Sequence, residues 1–180
     1  MKKEFIALTK NLAQSVTRCA APKKFGLVLA ALCFSTLTRA DEQVPFVGNF
    51  NPITVSATPL DATHVLLDFD VHIQATQLGK GRGPASGILD LTTLTYFGEA
   101  TWAAANGDEV SITFAGQLVP TDTPGLFDNV ETIEVVGGTG RFKGATGACV
   151  AAGQFDLITQ SAPAPFPFVG TISSPGSLKK

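Results

Sequence analysis

Cysteine is scarce in this chain of 180 residues, which contains three. Two of them, Cys19 and Cys33, lie within the first forty residues, so Cys149 is alone in the remainder. A single cysteine cannot close an intramolecular disulfide, and residues 41–180 must therefore be held together by their core. A catalytic thiol would need a nearby histidine or a helix N-terminus, and both histidines are distant in sequence. We expect Cys149 to be a buried structural thiol.

A hydrophobic run long enough to cross a membrane is also lacking. The apolar run at 25–34 has ten residues, whereas a transmembrane helix needs about 20. Lys23 and Lys24 precede this run, and Ala40 ends a short segment with small residues at its last and third-last positions. This order is typical of a cleaved signal peptide and favours it over a membrane anchor or a buried helix. We predict a signal peptide over residues 1–40, cleavage near Ala40, and a secreted or periplasmic protein that is not inserted in the membrane.

Positive charge is scarce outside this leader. Residues 1–40 carry seven basic groups and one acidic group, whereas residues 41–180 carry six basic and fourteen acidic groups. The net charge of −2 for the whole chain is thus the sum of +6 in the leader and −8 in the remainder. An acidic body excludes a basic nucleic-acid-binding domain and disfavours docking on an anionic membrane. We expect no nucleic-acid partner.

Helical periodicity is absent after residue 41, and alternation of apolar and polar residues replaces it. In 63–74 the apolar residues recur at every second position, and 109–118 repeats the pattern. The dipeptide Asn106-Gly107 favours a hairpin between 97–105 and 109–118. Further strands are predicted at 53–58, 87–95, 129–136, 147–158 and 166–173, with turns at 78–86, 120–125 and 160–165. Seven or eight antiparallel strands indicate one all-β domain over 41–180, a closed barrel or a sandwich.

A glycine-rich segment at 137–147 is the most specific motif of the chain. A phosphate-binding P-loop needs lysine after its last glycine, and Ala145 stands there instead. A dinucleotide-binding fingerprint needs a third glycine where Lys143 stands and a helix where a strand is predicted. The motif therefore predicts a tight connection between strands, with an aromatic plug below it. Its structural residues are Gly137, Gly138, Gly140, Phe142, Gly144 and Gly147.

The same segment resembles the G-G-[TS]-G-x-F-x-x-A-x-G signature of the allene oxide cyclase and dirigent barrel superfamily. The chain resembles a small exported bacterial member of it, since 77–81 and the final strand at 168–173 are also similar to that group. The resemblance implies a single antiparallel eight-stranded β-barrel with an apolar lumen, often assembled as a homotrimer. Plant members cyclise a fatty-acid epoxide or guide the coupling of phenolic radicals. Their polar lumen residues do not match positions here, and Thr146 stands where dirigent proteins usually have arginine, so no catalytic residue is assigned.

Two sets of residues are candidates for a binding site. Four apolar side chains are expected to line the lumen and to contact a small apolar ligand: Phe69, Val71, Trp102 and Phe114. The polar face of 63–74 instead carries potential metal ligands, but residues two apart on a strand lie about 7 Å apart, too far for easy chelation of one ion. We expect this polar set, His64, Asp68, Asp70 and His72, to form the barrel exterior. The sequence predicts no metal site and no cofactor, and it predicts a solvated basic turn at 79–83.

The function that these observations favour is non-catalytic, either binding of a small apolar ligand or assembly with further copies of the chain. An isomerase or cyclase acting in the lumen and a purely structural surface protein are the alternatives. A buried carboxylate with a raised pKa beside an open apolar cavity would favour the enzyme. An open lumen without ionisable groups would favour the binder, and a lumen filled by side chains the structural protein.

Overall fold

The computed structural model describes residues 42–173, so the predicted signal peptide at 1–40 lies outside the described residues. Eight strands form one closed antiparallel barrel in which each strand pairs with its neighbours in sequence and β8 pairs with β1. The strands are β1 Gln43–Pro59, β2 His64–Ala75, β3 Gly79–Asp90, β4 Thr95–Ala104, β5 Glu109–Pro120, β6 Leu126–Gly138, β7 Gly147–Asp156 and β8 Phe166–Ser173. The predicted all-β eight-stranded barrel is confirmed. Among the described residues, no helix has the length and hydrophobicity needed to span a membrane.

Period-two alternation decides which side chains point into the barrel. On β2, Val71, Ile73 and Ala75 are buried while His72 and Gln74 between them are exposed, as the sequence pattern predicts. The Asn106-Gly107 hairpin also forms, because Gly107 adopts the positive φ of 85° that the turn requires.

Predicted bounds are wrong at β1 and around β3. The first strand is predicted at 53–58, whereas β1 begins at Gln43 and ends at Pro59. The segment 78–86, including the expected basic turn at 79–83, belongs mostly to a strand that pairs with β2 and β4. Its glycines serve close packing of the backbone, since a Cβ at Gly83 would collide with the carbonyl oxygen of Thr101. The predicted strand 87–95 is broken after Asp90, whose carboxylate accepts hydrogen bonds from the backbone of Thr92 and Thr93 and so stabilises a turn.

The two ends of the barrel differ. We call the end with the β2–β3, β4–β5 and β6–β7 connections the closed end, and the opposite end the mouth. At the closed end, Phe142 lies in a 3₁₀ turn (Gly140–Phe142) and is fully buried. Arg141 bridges to the β2–β3 turn, because its guanidinium donates to the carbonyl oxygen of Leu78 at 3.3 Å. The glycine-rich segment therefore covers this end with an aromatic plug, the arrangement the sequence predicts.

The barrel lumen as a candidate functional site

An apolar cavity of about 90 Å³ occupies the half of the lumen nearer the mouth. All four ligand-lining residues named from the sequence lie in its wall. The cavity is larger than a single water site, and its surface is almost entirely hydrocarbon. The wall residues are Phe50, Pro52, Leu67, Phe69, Val71, Ala85, Gly87, Leu89, Tyr96, Ala100, Trp102, Ile112, Phe114, Leu118, Asn129, Glu131, Phe155, Leu157 and Phe166.

Space remains in the lumen because large and small side chains are unevenly distributed around it. Strands β3 and β4 contribute Ala85, Gly87 and Ala100 to the wall. The ring of Phe114 lies against this side, since a Cβ at Gly98 would come 2.5 Å from Cζ of Phe114. The deeper wall is aromatic, with the rings of Phe50 and Phe166 stacked at 5.4 Å, and with the Trp102 ring 6.0 Å from that of Phe50. Any side chain at position 87 in place of glycine would fill much of this space.

Three polar side chains meet in the wall of this cavity. Tyr96 from β4 and two residues of β6, Asn129 and Glu131, form a hydrogen-bonded cluster, which we call the lumen triad. The phenolic oxygen of Tyr96 lies 2.7 Å from Oε2 of Glu131 and 2.8 Å from Oδ1 of Asn129. Glu131 is 8 % exposed and Asn129 5 %. No lysine, arginine or histidine is among the residues lining the cavity.

The proton count of the lumen triad favours a neutral Glu131. Tyr96 has one hydroxyl proton and faces two acceptor oxygens, so it can donate to one of them at a time. A protonated Glu131 donates to the Tyr96 oxygen and leaves the Tyr96 proton for Asn129, which satisfies all three groups. Burial raises the pKa of Glu131 to about 7, against the lowering effect of its hydrogen bonds to Tyr96 and Asn129. Burial and the adjacent Glu131 also raise the pKa of Tyr96.

Gly116 on β5 makes the meeting of Tyr96 and Glu131 possible. Tyr96 reaches from β4 across β5 to β6, and Gly116 pairs with both Tyr96 and Glu131 in the sheet register. A Cβ at Gly116 would come 2.5 Å from Cζ of Tyr96. Because glycine has no side chain, the phenol of Tyr96 can cross β5 and reach the carboxyl group of Glu131.

Solved structures include proteins that this chain resembles in fold. The structure of a pterocarpan synthase dirigent protein (GePTS1) is 18% identical, with a TM-score of 0.50, over 77% of this chain and 89% of that chain. The barrel has a dirigent-like fold. No family model matches the chain, and no curated protein matches it. At this identity the likeness shows the fold alone, and the chemistry must be argued from the lumen.

Glu131 of this dirigent-like barrel was not singled out by sequence reasoning. The strand 129–136 has apolar residues on both faces, Val130 and Val136 on one and Ile133 and Val135 on the other. The structure turns Ile133 and Val135 inward, and Glu131 follows them by period two. Tyr96 is the sole tyrosine of the chain, but its partner Glu131 is 35 residues away in the sequence. One indication of its burial is present in the sequence. Glu131 lies two residues before the apolar Ile133 and therefore on the same face of the strand.

Trp102 and Cys149 are two further buried side chains with polar atoms. Trp102 is 2 % exposed, and its Nε1 has no hydrogen-bond partner among the described residues. Cys149 is buried as predicted. Its pKa is raised by burial to about 11, so the thiol is not activated for nucleophilic attack.

The polar face of β2 lies outside the barrel. Asp68 accepts hydrogen bonds from the hydroxyls of Ser56, at 2.7 Å, and Ser86, and these bonds lower its pKa. Asp70 pairs with Arg82 at 2.7 Å. Within residues 42–173, no three His, Cys, Asp or Glu side chains are grouped so as to hold a metal ion. These carboxylates are engaged by neighbouring side chains on the outer surface and do not face the lumen.

Proposed function

We propose that this protein binds a small, largely apolar molecule in the mouth-facing half of the barrel, with the lumen triad contacting its polar group. The observation that carries the proposal is the coexistence of an open apolar cavity and one buried polar cluster in its wall. Binding pockets typically combine a hydrocarbon lining with a few placed polar groups. A purely structural barrel would gain stability by filling the cavity and by replacing Glu131 with an apolar residue.

The size of the cavity limits the ligand. About 90 Å³ is less than the volume of an engineered apolar cavity of about 150 Å³ that accepts benzene in another protein, so a ligand as large as a single ring would occupy the cavity and part of the mouth. A longer molecule would have to extend through the mouth between the loops. The dirigent-like fold supports a role in ligand or substrate binding and does not select between them.

Native mass spectrometry of the protein purified from its own cells tests binding directly. The proposal expects a retained small molecule that is released on unfolding, and a smaller retained fraction in a Phe114→Trp variant that narrows the cavity. Protein without retained mass, together with an experimental structure showing a lumen filled by side chains, would contradict the proposal and favour a structural protein.

Acid–base catalysis in the lumen is the second candidate, because a buried carboxyl group with a raised pKa beside an open apolar cavity is the arrangement that favours an enzyme. Binding is proposed first because catalysis in the lumen would also require it. A carboxyl group with a pKa of about 7 can donate and accept protons near neutral pH, as an isomerase or cyclase requires. The probe is 5-nitrobenzisoxazole, from which a desolvated carboxylate removes the ring C–H proton while the N–O bond breaks to give a cyanophenolate. We expect a rate about 100-fold above that of Glu131→Gln, rising with pH through about 7 because the ionised carboxylate is the base.

The control for this reaction is Glu134→Gln, which changes an exposed carboxylate on the same strand. Its rate should equal that of the unchanged protein. Equal rates for the unchanged protein and Glu131→Gln would reject catalysis by Glu131 and leave the binding proposal standing.

Export and assembly are proposed as the setting of this function. The leader at 1–40 supports export. A row of exposed valines on the outer surface supports a homotrimer, because Val150 and Val47 flank Val169 directly in the sheet register. The three side chains are between 40% and 63% exposed, and contiguous exposed apolar surface is typical of subunit contacts.

A further inference from the structure

We propose that the lumen selects an uncharged, largely apolar molecule carrying a hydroxyl or carbonyl oxygen and rejects the corresponding carboxylate. The inference rests on the proposed binding function and names the chemical class of the ligand. Three independent features carry it: the charge around the mouth, the charge inside the lumen, and the hydrogen-bonding groups in the wall.

The mouth is acidic on all sides. Each of its four connections has an aspartate at the end of a strand or within two residues of it: Asp61, Asp90, Asp122 and Asp156. All but Asp122 accept hydrogen bonds from their own turns, from the Thr92 hydroxyl foremost at Asp90 and from backbone amides foremost at the other two, and these bonds lower the pKa of each and keep it ionised. The basic group at this end is His64, whose Nδ1 lies 2.9 Å from the carboxylate of Asp61. An approaching anion therefore meets like charge within about one Debye length, roughly 8 Å at physiological salt.

The described lysines and arginines lie toward the other end. Lys80 and Arg82 follow the β2–β3 turn, and Arg141 and Lys143 lie in the glycine-rich segment of the closed end. The buried ring of Phe142 and the aromatic side chains of the deeper cavity wall separate these basic groups from the cavity. Since no lining residue is cationic, a carboxylate in the lumen would be buried without a partner and close to Glu131. Burial of an unpaired charge is strongly unfavourable, and the bound anion would be expelled or protonated.

An uncharged oxygen fits the wall. Neutral Glu131 donates its one proton to Tyr96, so its other carboxyl oxygen is left to accept a hydrogen bond from a hydroxyl group of the ligand. A carbonyl oxygen of the ligand needs a donor instead. Trp102 adds a buried N–H without a partner among the described residues. The mouth aspartates would attract an ammonium group. Inside the lumen, however, this group would meet a single carboxyl group, which burial keeps protonated at mildly acidic pH. We therefore infer an uncharged ligand rather than a cation.

Four benzene derivatives of nearly one shape separate these classes: toluene, benzyl alcohol, benzylamine and benzoate. Trp102 is the only tryptophan of the chain and lines the cavity, so its fluorescence at pH 6 reports binding of each compound. We expect saturable binding of toluene and benzyl alcohol, with benzoate and benzylamine at least about tenfold weaker than the alcohol. Benzoate binding as tightly as the alcohol would overturn the rejection of anions, and tighter binding of benzylamine would overturn the uncharged class.

The role of the polar wall is tested by the ratio of the alcohol and toluene affinities. Glu131→Leu removes the carboxyl group while keeping a side chain of suitable size. The affinity for benzyl alcohol should then fall at least about fivefold relative to the affinity for toluene. Glu131→Gln, which retains hydrogen bonding, should keep most of the ratio, and Glu134→Gln should keep all of it. An unchanged ratio in Glu131→Leu would overturn oxygen recognition by the triad. Absence of binding by all four compounds, toluene included, would instead reject the underlying binding function.

Discussion

Tyr96 and Glu131 meet across an intervening strand of the barrel, with the phenolic oxygen 2.7 Å from Oε2 of the carboxyl group. Gly116 lies between them on β5 and leaves the path open. Because neither group has a cationic neighbour among the cavity-lining residues, burial dominates the titration of Glu131. A carboxyl group that changes its proton near neutral pH is therefore placed in an otherwise apolar wall.

The first prediction concerns the pH dependence of stability. The pKa of Glu131 is raised in the folded state from 4.5 to about 7, so the folded protein binds more protons than the unfolded chain between these values. Its stabilising contribution is complete below pH 4.5 and is lost as pH rises through about 7. The corresponding loss is about 3 kcal/mol, measured as the change in the free energy of unfolding between pH 5 and pH 8.5 by urea denaturation.

Glu131→Gln should remove this loss, so that the variant is the more stable protein at pH 8.5. Glu134→Gln, an exposed change on the same strand, should keep the slope of the unchanged protein. Equal slopes in the unchanged protein and in Glu131→Gln would show that Glu131 does not titrate in this range.

The second prediction tests Gly116 as the residue that positions Tyr96. A methyl group at this position overlaps the phenol, so Gly116→Ala should cost about 1–3 kcal/mol of stability. The cost should be smaller when Tyr96→Ala is already present, because the overlap with the phenol is then gone and only the close approach to the carbonyl oxygen of Val130 remains. A double-mutant cycle by chemical denaturation measures this coupling, and additive effects would mean that Gly116 and Tyr96 act independently.

The third prediction concerns the closed end. Phe142 is fully buried below the glycine-rich segment, and Phe142→Ala should reduce the free energy of unfolding by about 3–5 kcal/mol. Phe142→Leu should cost less because it retains part of the plug. Val136→Ala, at a position 57% exposed, serves as the control and should change stability little. A cost for Phe142→Ala no larger than that for Val136→Ala would contradict the plug.

The fourth prediction concerns assembly. Val169 is 63% exposed in the middle of the valine row, and Val169→Glu should convert the proposed homotrimer into monomers in light-scattering experiments. Phe97→Glu introduces the same charge at a residue that is 62% exposed on β4, four strands away from β8, and should leave the oligomer intact. A monomeric unchanged protein would reject the trimer.

The sequence predicts the barrel well where its pattern has one interpretation. In 63–74 every apolar residue except Leu66 lies on one face, and the predicted boundaries of β8 coincide with those observed. The glycines at 79–83 allow a turn or closely packed strands, and only the neighbouring backbone of β4 decides for the strand. Glu131 was missed for a similar reason, since apolar residues lie on both faces of β6 and tertiary packing selects the inward one. The size of the lumen depends on side chains that face one another from different strands, which one sequence does not reveal.

Binding in the lumen is tested most directly by a nuclear magnetic resonance titration of the protein with benzyl alcohol at pH 6. We expect saturable shifts in the backbone amide signals of Leu89, Tyr96, Ile112 and Glu131, whose side chains line the cavity. We expect no shifts for Lys143, at the closed end, or for Ala148, on the outer surface. Shifts that grow without saturation, or that are confined to the outer surface, would rule out binding in the lumen.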